Sequence, residues 1–172
     1  YDIEHNIKSW RVCIDPRLLN VQLDSVNYPL PLIEELLERL SGSRVFSKID
    51  LRKGFHQFKV NPDHQLKTTF NWNGQQYCFI GAPFGFKHVP SVFQKVMSTI
   101  FRGYEGFTIV YIDDIIIFSK TVREHREHIK RVMKTLTKWN LRTQKDKCIF
   151  FAESLIILGY RISELVAIQH WP

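Results

Sequence analysis

The stretch Ile109-Val110-Tyr111-Ile112-Asp113-Asp114-Ile115-Ile116-Ile117-Phe118 places two adjacent carboxylates between two apolar runs. Both runs are β-branched or aromatic, which predicts two buried strands joined by a tight turn. Two like charges beside a hydrophobic core are costly unless a cation or another strong partner compensates them. The stretch alone therefore leaves two interpretations open, a site for a hard cation and an acidic turn exposed to solvent.

Strand and helix signals surround this hairpin in a definite order. A strand is predicted over 44–50, ending at Asp50, and a helix begins at Pro90. After the hairpin, an amphipathic helix is predicted over about 122–139, with Ile129, Val132, Met133 and Leu136 inward, and a last strand over 147–151. From residue 44 the order is therefore strand, helix, strand, strand, helix, strand, with a segment inserted at 51–89.

This order is that of a split βαβ, or ferredoxin-like, sheet, which makes the fold class α+β. In that topology the first and second strands run the same way with the third between them. The end of the first strand, at Asp50, then lies at the same edge as the turn that carries Asp113 and Asp114. Three carboxylates are therefore expected to converge, which favours a divalent-metal site over an exposed turn.

Other segments complete the expected domain. Pro29 and Pro31 introduce a helix with apolar positions Ile33, Leu36, Leu37 and Leu40. Asn73-Gly74 predicts a hairpin between 67–72 and 75–80. A length of 172 residues suits one domain, and 44% hydrophobic with 24% charged residues is ordinary for a soluble protein. The three widely spaced cysteines, Cys13, Cys78 and Cys148, indicate reduced thiols in an intracellular protein.

Positive charge is concentrated in residues 123–147. The chain carries a net charge of +7, and this segment alone contributes +6 from nine Lys/Arg and three acids. Such a segment favours a polyanion through counterion release, although a solvated helix face is an equally open interpretation. The basic residues are Arg123, Arg126, Lys130, Arg131, Lys134, Lys138, Arg142, Lys145 and Lys147.

Oxygen-only ligands favour Mg²⁺ or Mn²⁺ over zinc. A basic surface beside a magnesium site indicates phosphoryl transfer on nucleic acid by two metal ions. These residues alone do not decide between a polymerase and a nuclease. His125 and His128 lie three residues apart on a predicted helix, and no further ligand joins them, so we expect no metal there.

Over about residues 8–163 the chain resembles the reverse transcriptase of gypsy-like LTR retrotransposons, a retrovirus-related group. Several separated motifs carry this resemblance in the order typical of the family. They are Trp10-Arg11 with Asp15, Arg17, Leu19 and Asn20; Tyr28-Pro29-Leu30-Pro31; Phe46-Ser47-Lys48-Ile49-Asp50-Leu51 with Gly54-Phe55-His56-Gln57; Lys67-Thr68-Thr69-Phe70; Pro83-Phe84-Gly85-Phe86 with Pro90, Phe93-Gln94 and Met97; Tyr111-Ile112-Asp113-Asp114; and Leu158-Gly159-Tyr160.

The resemblance implies a role for each motif residue. Asp50 and Asp113 would be the principal ligands of two Mg²⁺ ions, with Mn²⁺ a possible substitute and Asp114 the third acid. The substrate-binding residues would be Arg11 on the triphosphate, Phe55 against the sugar, Phe84 in the nucleotide pocket, Gly85 where backbone approaches template or nucleotide, and Tyr111 at the primer end; Leu158, Gly159 and Tyr160 would form the primer grip. Taken alone, Phe55 and Phe84 also suit core aromatics, and Arg11 suits a surface arginine stacked on Trp10.

The implied protein is an RNA-directed DNA polymerase that extends a primer on an RNA or DNA template with dNTPs. Residues 1–43 and 52–89 would form fingers-like parts and residues 44–51 and 90–163 a palm, while 164–172 have no match. The thumb is expected to be largely absent, and the RNase H and integrase portions would lie elsewhere in a polyprotein of cytoplasmic virus-like particles. The alternative is an inactive remnant that binds nucleic acid without catalysis.

Overall fold

A computed structural model describes residues 14–24 and 28–164, together with the backbone of 169–170. The core elements follow the predicted order of strand, helix, strand, strand, helix, strand. The elements in chain order are α1 (Arg17–Gln22), α2 (Ile33–Leu40), β1 (Val45–Asp50), α3 (Pro62–Gln65), β2 (Phe70–Trp72), β3 (Gln75–Tyr77), α4 (Val89–Ile100), β4 (Thr108–Tyr111), β5 (Asp114–Ser119), α5 (Val122–Lys138), β6 (Ile149–Ala152), β7 (Ser154–Ile157), β8 (Tyr160–Ser163) and β9 (Gln169–His170), with short 3-10 turns at Gly54–Gln57, Leu66–Thr68 and Lys145–Lys147.

The central sheet has four strands in the order β4-β5-β1-β6. Each neighbouring pair is antiparallel, so β1 and β4 run in the same direction with β5 between them. This is the predicted ferredoxin-like arrangement, and it is confirmed. The β2–β3 hairpin and the β7-β8-β9 sheet stand apart from it.

The two faces of the sheet bury different clusters. On one face, Ile49 of β1 packs with Met97 of α4 and Val132 of α5. On the other face, Phe46 packs with Leu37 of α2 and Leu155 of β7. Because side chains alternate along a strand, Asp50 shares the face of Phe46, which is opposite to helix α5.

A hydrogen-bonded network lies buried between the sheet and α5. The side chain of His125 is 0% exposed, and the hydroxyls of Ser47 and Ser119 meet its two ring nitrogens at 2.7 and 2.8 Å. Ser119 also contacts Nδ1 of His128 at 2.8 Å, and the His128 ring stacks on Phe107. The two histidines therefore have a structural role here, joining the helix to strands β1 and β5.

Two local predictions are wrong. Met133 was expected inward, but it is 37% exposed, because His125 occupies the inward face and shifts that face towards Val132 and Leu136. The hairpin strands are shorter than expected, because Thr68 lies in a 3-10 turn and its hydroxyl accepts a hydrogen bond from the amide of Phe79. That bond replaces the strand ladder beyond Tyr77.

None of the helices in residues 14–24 and 28–164 combines the length and the apolar character that crossing a membrane requires.

The buried histidine makes stability depend on pH. Burial, followed by the charge of His128, lowers the pKa of His125 from 6.5 to about 4. Since the folded pKa lies below the unfolded one, the stabilisation is complete above about pH 6.5 and is lost as the pH falls towards 4. We expect the free energy of unfolding, measured with urea, to be roughly 2 kcal/mol lower at about pH 5 than at about pH 7.

The matched variant is His125→Gln, which does not titrate. Its stability should depend less on pH in the same window, with a residual slope from His128, whose pKa is also lowered by burial. An unfolding free energy that is equal at both pH values in the parent protein would contradict this account.

Candidate active site at the carboxylate hairpin

The register of three strands brings the predicted acids to one edge of the sheet. Asp50 is the last residue of β1 and lies directly opposite Asp114, the first residue of β5. Asp114 is in turn paired with Tyr111 of β4, so Ile112 and Asp113 form a two-residue turn. The expected convergence of the backbone positions of Asp50, Asp113 and Asp114 is therefore confirmed.

The turn that carries Asp113 has a strained backbone and is hydrogen-bonded to a side chain of helix α4. Ile112 has a φ of 52°, a left-handed conformation that a β-branched residue adopts only at a cost. Gln94 of α4, which is 1% exposed, accepts a hydrogen bond from the Ile112 amide at 2.7 Å and donates one to the Val110 carbonyl at 2.9 Å. One buried amide side chain therefore fastens the turn to the helix below it.

A glycine allows the segment after β1 to pass against the turn. A Cβ added at Gly54 would lie 3.2 Å from Cβ of Asp113 and 3.4 Å from Cζ of Phe93. Both distances are at or inside the tight end of ordinary carbon contacts, so a larger residue would press on Asp113. Gly54 therefore fixes how closely Asp113 sits to the aromatic residues described below.

Like charges and partial burial oppose ionisation at Asp50. Desolvation is the largest cause of its raised pKa, and the neighbouring carboxylates of Asp113 and Asp114 raise it further. Lys147 and Lys48 act in the opposite direction. The edge thus holds an excess of negative charge that a hard cation would relieve.

The side chains of the three acids do not form a closed set of ligands. Among the described residues, no group of three or more His, Cys, Asp and Glu side chains is arranged to hold a metal ion. Asp114 instead forms an ion pair with Lys48, with 2.6 Å between Oδ2 and Nζ. The metal-ligand role of Asp50, Asp113 and Asp114 accordingly stays a prediction.

Aromatic residues cover the side of the turn next to Gly54. The rings of Phe55 and Phe84 have centroids 5.4 Å apart, and Phe55 meets Phe93 edge to face at 5.0 Å. Phe84 is 41% exposed, whereas Phe93 is buried. The two predicted nucleotide-pocket residues, Phe55 and Phe84, are therefore brought together beside the carboxylates, and their contacts with a substrate remain predictions.

The other predicted site residues have varied surroundings. Gly85 has a φ of +94°, and a Cβ there would meet Pro16 at 3.0 Å, so its glycine is explained by backbone conformation and packing. Leu158 and Gly159 form the left-handed turn between β7 and β8, and Tyr160 begins β8. Arg11 lies outside the described residues.

The basic segment divides between the two faces of the sheet. In α5 the basic side chains are exposed on the side away from the sheet, across it from Asp50. Lys147, beyond the helix, lines an open cleft of about 730 Å³ together with Lys48, Asp50 and Arg161. The expectation of a basic surface near the acids thus holds for Lys147 but not for the helix.

Comparisons with known proteins identify the family of this chain. The family model described as reverse transcriptase (RNA-dependent DNA polymerase) matches residues 3–162. The chain is 36% identical over 172 residues to the retrovirus-related Pol polyprotein from transposon gypsy of Drosophila melanogaster, covering 94% of this chain and 17% of that protein. It is 37% identical to the corresponding polyprotein from transposon 297 of the same species, covering 90% of this chain and 15% of the relative.

Solved structures of reverse transcriptases share the fold of this chain. The foamy viral protease-reverse transcriptase in complex with RNA/DNA hybrid superimposes with a TM-score of 0.83 at 27% identity, over 90% of this chain and 21% of that one. A form of that protein in complex with double-stranded DNA gives a TM-score of 0.84 at 27% identity, over 91% of this chain and 27% of that one. The fold is thus that of a reverse transcriptase with a palm-like core.

The chain belongs to the reverse transcriptase (RNA-dependent DNA polymerase) family. The two relatives named above are retrovirus-related Pol polyproteins from transposons, and the chain spans less than a fifth of the length of each.

Three residues of the site were not assigned a role from the sequence. Gln94, Gly54 and Lys48 all lie within motifs that carry the resemblance, but their residue types alone gave no reason to single them out. Gln94 and Lys48 act through contacts with residues distant in the chain. The signal that could have found Gln94 is a polar residue in the apolar stripe of α4, where burial demands partners.

Gln94→Leu tests the fastening of the turn. The change leaves the Ile112 amide and the Val110 carbonyl without their side-chain partner, which should lower the free energy of unfolding by about 2–3 kcal/mol. Hydrogen–deuterium exchange should also quicken in peptides that cover residues 110–114. Urea denaturation and mass spectrometry measure the two effects.

Gln57→Leu is the matched control. Like Gln94, Gln57 accepts a hydrogen bond from a backbone amide and donates one to a backbone carbonyl, here both of Arg142. It is more exposed, and we expect a loss of about 1 kcal/mol with unchanged exchange over 110–114. Equal exchange over that segment in the two variants would show that Gln94 does not hold the turn.

Proposed function

We propose that this chain is the catalytic palm, with part of the fingers, of an RNA-directed DNA polymerase. In the proposed reaction the 3′-hydroxyl of a primer attacks the α-phosphate of a deoxynucleoside triphosphate, and pyrophosphate leaves. The observation that carries the proposal is the cross-strand juxtaposition of Asp50 with Asp114 at the Asp113 turn, beside Phe55 and Phe84. Membership of the reverse transcriptase family supports the choice of synthesis over cleavage.

The donor chemistry fits magnesium. Mg²⁺ is usually bound by one or two carboxylates together with water and substrate phosphates, so a closed protein cage is not required. Asp50 and Asp113 would hold the two ions, since Asp114 is engaged by Lys48. The bound ions would neutralise phosphate charge and lower the pKa of the attacking hydroxyl.

The protein's own residues provide positioning, which accounts for much of the acceleration in phosphoryl transfer. Gln94 and the paired strands fix Asp113 relative to Asp50. Phe55 rests on buried Phe93, so its ring has little freedom to yield to a 2′-hydroxyl. Tyr111, partly buried against the second core cluster, would contact the primer end.

The partners proposed are an RNA or DNA template, a primer and dNTPs. The printed descriptions of similar solved structures name an RNA/DNA hybrid and double-stranded DNA as the partners of those proteins. Because the chain spans less than a fifth of its Pol relatives, we propose that it acts as one part of a polyprotein, in cytoplasmic virus-like particles.

Primer extension tests the proposed reaction. The chain should extend a DNA primer on an RNA template with dNTPs and Mg²⁺, and EDTA should abolish extension. Asp113→Asn should reduce the rate by at least about 10³-fold, because a neutral amide binds a hard cation poorly. Asp63→Asn, at an exposed position in α3, is the matched control and should retain the parent rate.

Two results would overturn the proposal. Binding of RNA without any extension by the parent chain indicates a nucleic-acid-binding remnant. Degradation of template in the absence of nucleotides, removed by Asp113→Asn, indicates a nuclease.

Phe55→Val tests the choice of sugar. A shorter side chain opens space for the 2′-hydroxyl, so the preference for dNTP over rNTP in kcat/KM should fall by about tenfold or more. Phe58→Val is the control, since Phe58 also packs on Phe93, at 4.7 Å. A preference that falls equally in both variants would mean that the effect comes from the aromatic core and that Phe55 does not act as a gate.

A further inference from the structure

Lys48 makes the closest charged contact at the carboxylate edge. Its Nζ lies 2.6 Å from Oδ2 of Asp114, and the two side chains are 24% and 22% exposed. Lys48 is two residues before Asp50 on the same strand and the same face of the sheet. The ammonium group therefore reaches diagonally across the strand pair to the acid opposite Asp50.

This contact differs from the surface ion pairs of the chain. Lys130 and Glu127 on α5 are nearly as close, at 2.7 Å, but their side chains are 72% and 64% exposed. Exposed pairs are screened by water and stabilise little, whereas partial burial strengthens the attraction between charges. We therefore expect the Lys48–Asp114 pair to stabilise the folded chain more than the Lys130–Glu127 pair does.

The reason for a cation here lies in the strand register. Like charges directly opposite each other in antiparallel strands are destabilising, and Asp50 stands opposite Asp114. Lys48 offsets one of these charges without any ligand. Its engagement of Asp114 also agrees with the finding that, in the part of the chain described, the acids are not gathered into a three-ligand group.

We propose that Lys48 is a built-in counter-cation of this edge. It holds Asp114 while no divalent cation is bound, and it competes with divalent cations for the negative charge of the site. Asp50 and Asp113 are then the acids left for the metal, and Lys48 is a positioning residue for Asp114. The inference rests on the proposed function, because it takes the carboxylate edge as the metal site.

The ion pair is tested first without metal. In EDTA, Lys48→Met should lower Tm by several degrees, because Asp114 then faces Asp50 without compensation. Asp114→Asn combined with Lys48→Met should recover part of that loss, which shows that the two side chains are coupled. A double-mutant cycle compares the two single variants with the double variant. The corresponding cycle on Lys130→Met and Glu127→Gln should show no coupling.

Metal binding is tested second, with Mn²⁺ as the probe and electron paramagnetic resonance counting the free ion. Lys48→Met removes a positive charge next to the site, so this variant should bind Mn²⁺ with a Kd at least about threefold lower than that of the parent. Lys48→Arg, which retains the charge, should bind Mn²⁺ as the parent does. Lys145→Met removes an exposed lysine from the nearby 3-10 turn and is the matched control, with unchanged affinity expected.

The outcomes separate this inference from the proposed function. Equal or weaker Mn²⁺ binding by Lys48→Met, or no coupling between Lys48 and Asp114 in EDTA, overturns the counter-cation role even if the parent chain extends primers. A parent chain that neither binds Mn²⁺ nor extends primers overturns the proposed function itself. Tighter binding by Lys48→Met, with coupling in EDTA, supports the role of Lys48 whatever the rate of extension.

Discussion

The pairing of β1 with β5 is the constraint on which the rest of the site depends. Six consecutive residue pairs, from Val45 with Ser119 to Asp50 with Asp114, fix the register. A shift by one residue would turn Asp50 towards helices α4 and α5 and would move Ile49 to the cluster on the opposite face. The hydrogen bonds of Ser47 and Ser119 to His125 oppose such a shift, because they require both hydroxyls to remain on the face of α5.

The same register explains the unequal charge around the sheet. Asp50 and Asp114 lie with Lys48 on the face that also holds the β7–β8 hairpin, while helix α5 with its basic side chains covers the opposite face. The net charge of the chain therefore does not describe the surface around Asp50. The ionisation of Asp50 depends instead on the local balance of charge among Asp113, Asp114, Lys48 and Lys147.

The order and type of the core elements could be predicted from the sequence, because apolar periodicity and strand order follow from short-range patterns. The meeting of Asp50 with the hairpin followed from topology alone. The arrangement of the carboxylates could not be predicted, since it depends on Lys48 reaching across a strand, and Gln94 was missed because its partners are backbone groups. Met133 was misplaced because a buried histidine is hard to anticipate from polarity.

Helix α4 contributes two consecutive residues to different parts of the site. Phe93 supports the ring of Phe55, and Gln94 holds the backbone on either side of the strained residue Ile112. The spacing between Phe55 and the turn that carries Asp113 is thus set by two adjacent residues of a single helix. Any tilt of that helix displaces both together, so the position of the Phe55 ring relative to the Asp113 turn is insulated from small movements of the surrounding loops.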